Sequence, residues 1–230
     1  MAAMKRILLA FTLAGFGLAA LLAQNGPGVP SFAVVPEPEN HAVTVDRLMR
    51  YHDSGEYDSQ IRQVVNAARV YLTERVAAAA KEERLAAVFD IDETSLSNWK
   101  NMAECGFCAY PTQLKLYPSA TATAIVPTLE LFNYAKNKGV AVFFVTGRQD
   151  HERVLTIANL TKEGYFGWAD LYTQIDGNKD AASVVKPKNR KAIEAKGYQI
   201  ILNIGDQASD LAGCCAERVF KLPNPFYLVQ

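Results

Sequence analysis

From Leu85 onward the chain alternates short apolar runs with segments of helical spacing, and this rhythm restricts its folds more than any other feature. Runs at 85–89, 140–145, 171–173, 200–204 and 219–222 are apolar along their length instead of at every second position. Strands of that kind are covered on both faces, as in a parallel sheet between helical layers. The intervening stretches 127–138, 150–164, 187–197 and 207–213 carry helical patterns that end at Gly or Lys-Gly. The expected fold class is α/β, a three-layer sandwich around a parallel central sheet. Residues 95–127, aromatic, Cys-bearing and Pro-containing, break the rhythm and read as a small cap inserted after the first strand. An insertion there lies over the carboxyl ends of the strands, where open α/β sheets bind ligands.

Ahead of the sheet, Ile61, Val64, Val65, Ala68, Leu72 and Val76 recur at three- and four-residue spacing. They predict an N-terminal helical extension starting near Asp58, with Asp58 or Ser59 as its N-cap. Residues 24–40 hold four prolines and two glycines and read as an extended leader. Earlier still, Lys5 and Arg6 precede an apolar run over 7–23 that Gln24, Asn25, Gly26 and Pro27 end. That is the layout of a secretion signal, cleaved after Ala23 although Leu21 is larger than such a site prefers. Ser31-Phe32-Ala33 offers a better small-residue pair further from the run. With 17 residues, the run is just short of the roughly 20 that span a bilayer, so an uncleaved membrane anchor is the alternative. The expected division is 1–23 signal peptide, 24–44 leader, and 45–230 one domain with its cap at 95–127.

The sequence has 230 residues, half of them apolar, with 24 basic and 24 acidic side chains. A chain of this size can bury a substantial core. Zero net charge and no Lys/Arg cluster exclude the phosphate-neutralising surface on which a nucleic-acid binder depends. Cleavage after Ala23 leaves 22 basic against 24 acidic groups, a net of about −2. Cys105, Cys108, Cys214 and Cys215 would then meet an oxidising compartment that favours disulfides. Cys105-Gly106-Phe107-Cys108 is half of a zinc signature, but the other pair is adjacent and would chelate poorly. Four cysteines allow three pairings, and the sequence does not choose among them.

The chemistry stands at the strand ends. The first run delivers Asp90-Ile91-Asp92-Glu93-Thr94, the second Thr146-Gly147-Arg148, and the fourth Gly205-Asp206-Gln207-Ala208-Ser209-Asp210, with Lys186 between the last two. Asp90, Asp92, Asp206 and Asp210 therefore converge on one edge of the sheet. Like charges held close need a compensating cation, and an all-oxygen set suits a hard divalent ion such as Mg²⁺. Pro187 restricts Lys186 locally and favours it over Lys188 as the functional amine. Lys188 and Arg190 read as surface charge, Glu93 as a solvated side chain, Thr94 as a loop-orienting hydroxyl and Arg153 as a helix anchor. His41, His52 and His151 have no ligand spacing.

These ordered segments resemble the four motifs of the haloacid dehalogenase (HAD) superfamily. Within it they are most similar to the acid phosphatase branch, subfamily IIIB, which includes class B and C acid phosphatases and plant vegetative storage proteins. The likeness runs over about 45–228, through Tyr51-His52-Asp53-Ser54-Gly55-Glu56-Tyr57, Asn159-Leu160, Gly164-Tyr165 and Leu222-Pro223-Asn224-Pro225-Phe226-Tyr227. It implies a HAD-like Rossmannoid sandwich and a secreted, Mg²⁺-dependent acid phosphatase acting on small phosphate monoesters. By that resemblance Asp90 is the nucleophile, Asp92 the general acid and base, and Thr146 and Lys186 the phosphate-stabilising groups. Gly147 and Arg148 join them in substrate binding, while Asp90, the Asp92 carbonyl, Asp206 and Asp210 hold the metal.

Cap aromatics such as Trp99, Phe107 and Tyr110 could stack on a nucleobase, which motivates a 5′-nucleotide substrate; equally they could form the cap's own core. Two further readings stay open. One is a storage or binding protein of the same fold, although storage-type relatives lose the nucleophilic carboxylate that Asp90 supplies here. The other is phosphotransfer to an alcohol instead of water.

Overall fold

A computed structural model describes residues 38–108, 112 and 120–229. The signal peptide and most of the leader expected from the sequence lie outside these residues. Helix α1 spans His41–Asp53, with the Asn40 side chain accepting the Ala42 N–H as its N-cap. The last four residues of the stretch expected to be leader are therefore helical. Gly55, at φ +81°, turns the chain into α2, Glu56–Ala77. This helix starts two residues before the expected Asp58, because a left-handed glycine, not a side-chain cap, reverses the chain there. Tyr57, Ile61, Val65, Ala68 and Leu72 form its buried stripe, the face that packs on the domain.

Strand β1 (Leu85–Phe89) is buried along its whole length. A short β2 (Leu96–Ser97) follows, then α3 (Trp99–Glu104) and β3 (Thr123–Ala124), which pairs antiparallel with β2. The main sheet resumes after α4 (Val126–Asn137) with β4 (Ala141–Gln149). A 3₁₀ turn and α5 (Arg153–Lys162), β5 (Asp170–Gln174), α6 (Ala182–Ala195), β6 (Gln199–Gly205), α7 (Ala208–Leu211) and β7 (Arg218–Lys221) complete it. Helix α6 begins five residues before Pro187, so the proline lies inside the helix and not at its first turn.

The five long strands run parallel in the order β5-β4-β1-β6-β7. Alternate β1 residues feed two cores, as the period-2 geometry of a strand dictates. Ala87 and Phe89 join the larger one with Phe132, Phe144 and Tyr165, while Ala86 and Val88 meet Ile193 on α6. Apolar packing on both faces is the physical reason the strands read as unbroken hydrophobic runs. Connections leave β1 towards β4 and β5 on one side and reach β6 and β7 on the other, which opens a crevice at the C-terminal edge of β1. Phe89 pairs in register with Phe144 and with Ile204, so the three motif-bearing ends emerge side by side. Among the described residues, no helix is long and apolar enough to cross a membrane.

Candidate active site

Asp90 leaves the sheet at the end of β1, its N–H donating to the Ile204 carbonyl at 3.0 Å. The loop then folds tightly: Ser95 Oγ donates to the Asp90 carbonyl at 2.6 Å, and the N–H groups of Ser95 and Leu96 both reach the Ile91 carbonyl at 2.8 Å. This bend places Glu93 at φ +52°, a left-handed conformation uncommon for a side chain of that size. One strand away, Gly205 ends β6. A Cβ there would lie 2.5 Å from Asp210 Cβ, so only glycine lets Asp210 fold back over the strand end.

Asp90, Asp206 and Asp210 are all buried, and each offers an oxygen within 4.8 Å of those of the other two. Lys186 Nζ, from α6, donates to Asp90 Oδ1 at 2.6 Å and to Asp210 Oδ1 at 2.5 Å. Fully ionised, three carboxylates and one ammonium leave two uncompensated negative charges in a buried volume. An all-oxygen donor set with that surplus fits a divalent cation. Without one, burial and then mutual repulsion act on the acids. Desolvation pushes the Asp90 carboxyl well above the usual carboxylate range, although Lys186 opposes it. Asp206 is raised for the same first reason, with Asp210 adding to it. Burial also works against the Lys186 ammonium, but Asp90 and Asp210 outweigh it and keep the amine protonated.

Asp92 faces the other side of the crevice. Arg148 grips its carboxylate through two nitrogens, Nη2 to Oδ1 at 2.7 Å and Nε to Oδ2 at 3.0 Å, and Asn98 Nδ2 donates at 2.9 Å. Burial raises this carboxyl, yet Arg148 and Asn98 together hold it below its ordinary value. The side chain of Asp92 thus stands apart from the three close carboxylates. Thr146 is buried at the end of the apolar part of β4, its Oγ1 accepting the Arg148 N–H at 3.2 Å. A cavity of about 270 Å³ opens between these groups, walled by Asp90, Asp92, Gly147, Arg148, Lys186, Asp206 and Asp210. Thr146 precedes Gly147 in the same stretch of β4.

Several side chains differ from their sequence reading. Glu93 is buried, not solvated: Asn98 N–H donates to it at 2.6 Å and the Tyr227 hydroxyl at 2.5 Å. Desolvation, followed by the nearby Asp92 and Asp206, pushes its carboxyl up to about 8. Arg190 is likewise buried rather than a surface charge, and donates to the carbonyls of Asp210 (2.7 Å), Cys214 (3.0 Å) and Ala212. Lys188 does stand exposed, paired with Asp180. Thr94 Oγ1 donates to Asp206 Oδ1 at 3.0 Å, tying the two acidic loops together. Arg153 anchors its helix by donating to the Leu171 carbonyl at 2.7 Å.

Trp99 and Phe107 do not line the cavity, and Tyr110 lies outside the described residues. Trp99 stacks on His52 at 3.7 Å between ring centroids, and both aromatics pack against Phe226. They pack the insertion onto α1 and the C-terminal segment, against the main core instead of a core of the insertion's own. The cysteines pair within their neighbourhoods, Cys105 with Cys108 and Cys214 with Cys215. Sequence reasoning assigned no role to Asn98, Gln207, Asn224 or Tyr227, because amide and hydroxyl groups in loops carry no periodic signal.

Residues 22–230 match the model of the HAD superfamily, subfamily IIIB (Acid phosphatase). The chain belongs to that family. Acid phosphatase 1 of Solanum lycopersicum is 34% identical over 151 residues, which cover 62% of this chain and 58% of that protein. Vegetative storage protein 1 of Arabidopsis thaliana is 35% identical over 147 residues, 62% of this chain and 54% of its own length. The match thus spans little more than half the length of these two relatives. A Stem 31 kDa glycoprotein of Glycine max is 29% identical over 217 residues, 91% of this chain and 82% of its own. The Class C acid phosphatase from Bacillus anthracis shares the fold of this HAD chain, with a TM-score of 0.66 at 22% identity over 81% of this chain and 86% of that one. The same enzyme with tungstate bound gives a TM-score of 0.67 at 23% identity.

Proposed function

We propose that this chain is a Mg²⁺-dependent phosphomonoesterase that works through a covalent aspartyl-phosphate on Asp90. The observation that carries this reading is the contact of Lys186 with both Asp90 and Asp210 inside a buried carboxylate trio that Asp206 completes. Asp90, the Asp92 carbonyl, Asp206 and Asp210 would hold the ion. When bound, it would neutralise the charge that otherwise sets an attacking carboxylate against a phosphate dianion.

In the first half-reaction a carboxylate oxygen of Asp90 bonds to phosphorus, and the bond from phosphorus to the ester oxygen breaks. Asp92 gives the departing alkoxide a proton. Water then attacks phosphorus, its proton passes to Asp92, and Asp90 leaves as a carboxylate with inorganic phosphate. Lys186 offsets charge on nucleophile and phosphoryl oxygens throughout. Gly147 and Arg148 line the cavity, and Thr146, in the same stretch of β4, would hydrogen-bond a phosphoryl oxygen. Because Arg148 keeps the Asp92 carboxyl low, the protonated form needed for the first step is favoured in acid, which supports activity at low pH.

Substrates of this reading are small phosphate monoesters. A 5′-nucleotide preference loses the support of Trp99 and Phe107, which are engaged with His52 and Phe226. Two disulfides support an extracytoplasmic location after removal of residues 1–23, with membrane anchoring the outcome if they are retained. The direct test is release of phosphate from a panel of esters by the purified chain, with and without EDTA. Hydrolysis lost on chelation and restored by Mg²⁺ is the expected result, and unchanged hydrolysis in EDTA refutes the metal. Products formed with excess glycerol separate hydrolysis from phosphotransfer. A storage role, suggested by the vegetative storage proteins among the relatives, predicts no turnover of any ester.

A further inference from the structure

Among the described residues Asp206 accepts three side-chain hydrogen bonds, and two of the donors are set by the segment that follows β7. Gln207 Nε2 and Asn224 Nδ2 both donate to Oδ2 at 2.6 Å, whereas Thr94 alone donates to Oδ1. The tail fixes which end of each amide points at Asp206. Asn224 Oδ1 accepts the Phe226 N–H at 2.9 Å, and Gln207 Oε1 accepts the Val229 N–H at 3.1 Å. Each amide is thereby held with its NH₂ towards the carboxylate. Pro223 and Pro225 restrict the backbone on either side of Asn224. The tail is pinned further by Tyr227 on Glu93 and by Ser209 Oγ donating to the Val229 carbonyl at 3.3 Å.

We propose that Asn224 is a positioning residue for Asp206, its amide oriented by the backbone of the residues that follow it. A carboxylate oxygen has two lone-pair positions. Both positions on Oδ2 are taken by amide donors, and one remains on Oδ1. A cation held by Asp206 is therefore taken through Oδ1 alone, and Asn224 fixes the carboxylate rotation that presents it. The inference rests on the metal-dependent reading above and adds a group outside the four motifs. Outer-shell donors of this kind set ligand orientation and metal affinity.

Titration of the metal-stripped full chain with MgCl₂ by calorimetry tests it, independently of turnover. Asn224→Leu and Asn224→Ser, the latter too short to reach Asp206, should bind Mg²⁺ about 10- to 100-fold more weakly. Tyr227→Phe cuts the tail's bond to Glu93 but leaves Asn224 in place, and should stay within about threefold of the unsubstituted chain. Should Asn224→Leu fail to fold, Asn224→Ser decides by the same criterion. Equal Mg²⁺ affinity in the Asn224 variants and the unsubstituted chain overturns the proposal while leaving the metal reading intact. An equal loss in Tyr227→Phe also overturns it, because tail packing and not the amide would then set affinity. No Mg²⁺ uptake by the unsubstituted chain removes both readings together.

Discussion

The two sides of the crevice are built from the same residue type and balanced in opposite ways. On the β6 side, Asp90, Asp206 and Asp210 share a single ammonium, and the surplus charge calls for a divalent ion. On the β4 side, Asp92 is matched one-to-one by Arg148, which holds that carboxyl in its ionised form until acid protonates it. In the proposed reaction one side of the sheet edge holds charge and the other passes a proton. Two aspartates separated by one residue can be nucleophile and acid–base because their neighbours differ, not because they do.

The sharpest break of that contrast is Asp90→Asn. Hydrolysis of p-nitrophenyl phosphate should fall by about 10³-fold or more, the scale on which nucleophile removal acts; retained activity would transfer the nucleophile's role elsewhere. Next comes Gly205→Ala, which forces a methyl against Asp210 at the observed 2.5 Å. Overpacking of this kind costs about 1–3 kcal/mol of stability in denaturant titrations. Phosphatase activity should drop with it, since Asp210 must move off Lys186.

Arg148→Met addresses the other side. Asp92 has its carboxyl depressed by Arg148, so removing the guanidinium should raise it. The alkaline limb of the kcat/KM profile, which reports the protonated acid, then moves to higher pH by about one to three units. A drop in rate without a shift would remove Asp92 as the acid. The last test leaves activity aside and concerns Glu93, whose carboxyl is raised by burial and then by Asp92 on one side and Asp206 on the other. Its folded value near 8 lies above the ordinary 4.5. The group therefore stabilises the metal-free fold fully below about pH 4.5, and that contribution fades as pH rises towards 8, by up to about 1.4 kcal/mol per pH unit. Unfolding of Glu93→Gln should lack this component of the slope between those values.

The sheet was legible because strands covered on both faces leave uninterrupted apolar runs, and β1 falls on the expected 85–89. Helix starts were less legible. Gly55 and the interior Pro187 are backbone devices that side-chain periodicity does not register. Asp90, Thr146 and Asp206 could be placed from their strand ends alone, since register carries them to one edge, whereas Lys186 reaches the site from inside α6. Burial of Glu93 and Arg190 could not be read that way. Each depends on partners distant in the chain: Tyr227 for the first, and the carbonyls of the 210–214 loop for the second. An isolated charged residue is exposed by default, and only tertiary partners reverse that.

Arg190 sits one turn beyond Lys186 on the same helix and ties that helix to the loop carrying Asp210. A displacement of α6 therefore meets resistance at two places, the Lys186–Asp210 pair and the Arg190 clamp, while Asn203, donating to the Asp210 carbonyl at 3.0 Å, moors the same segment to β6.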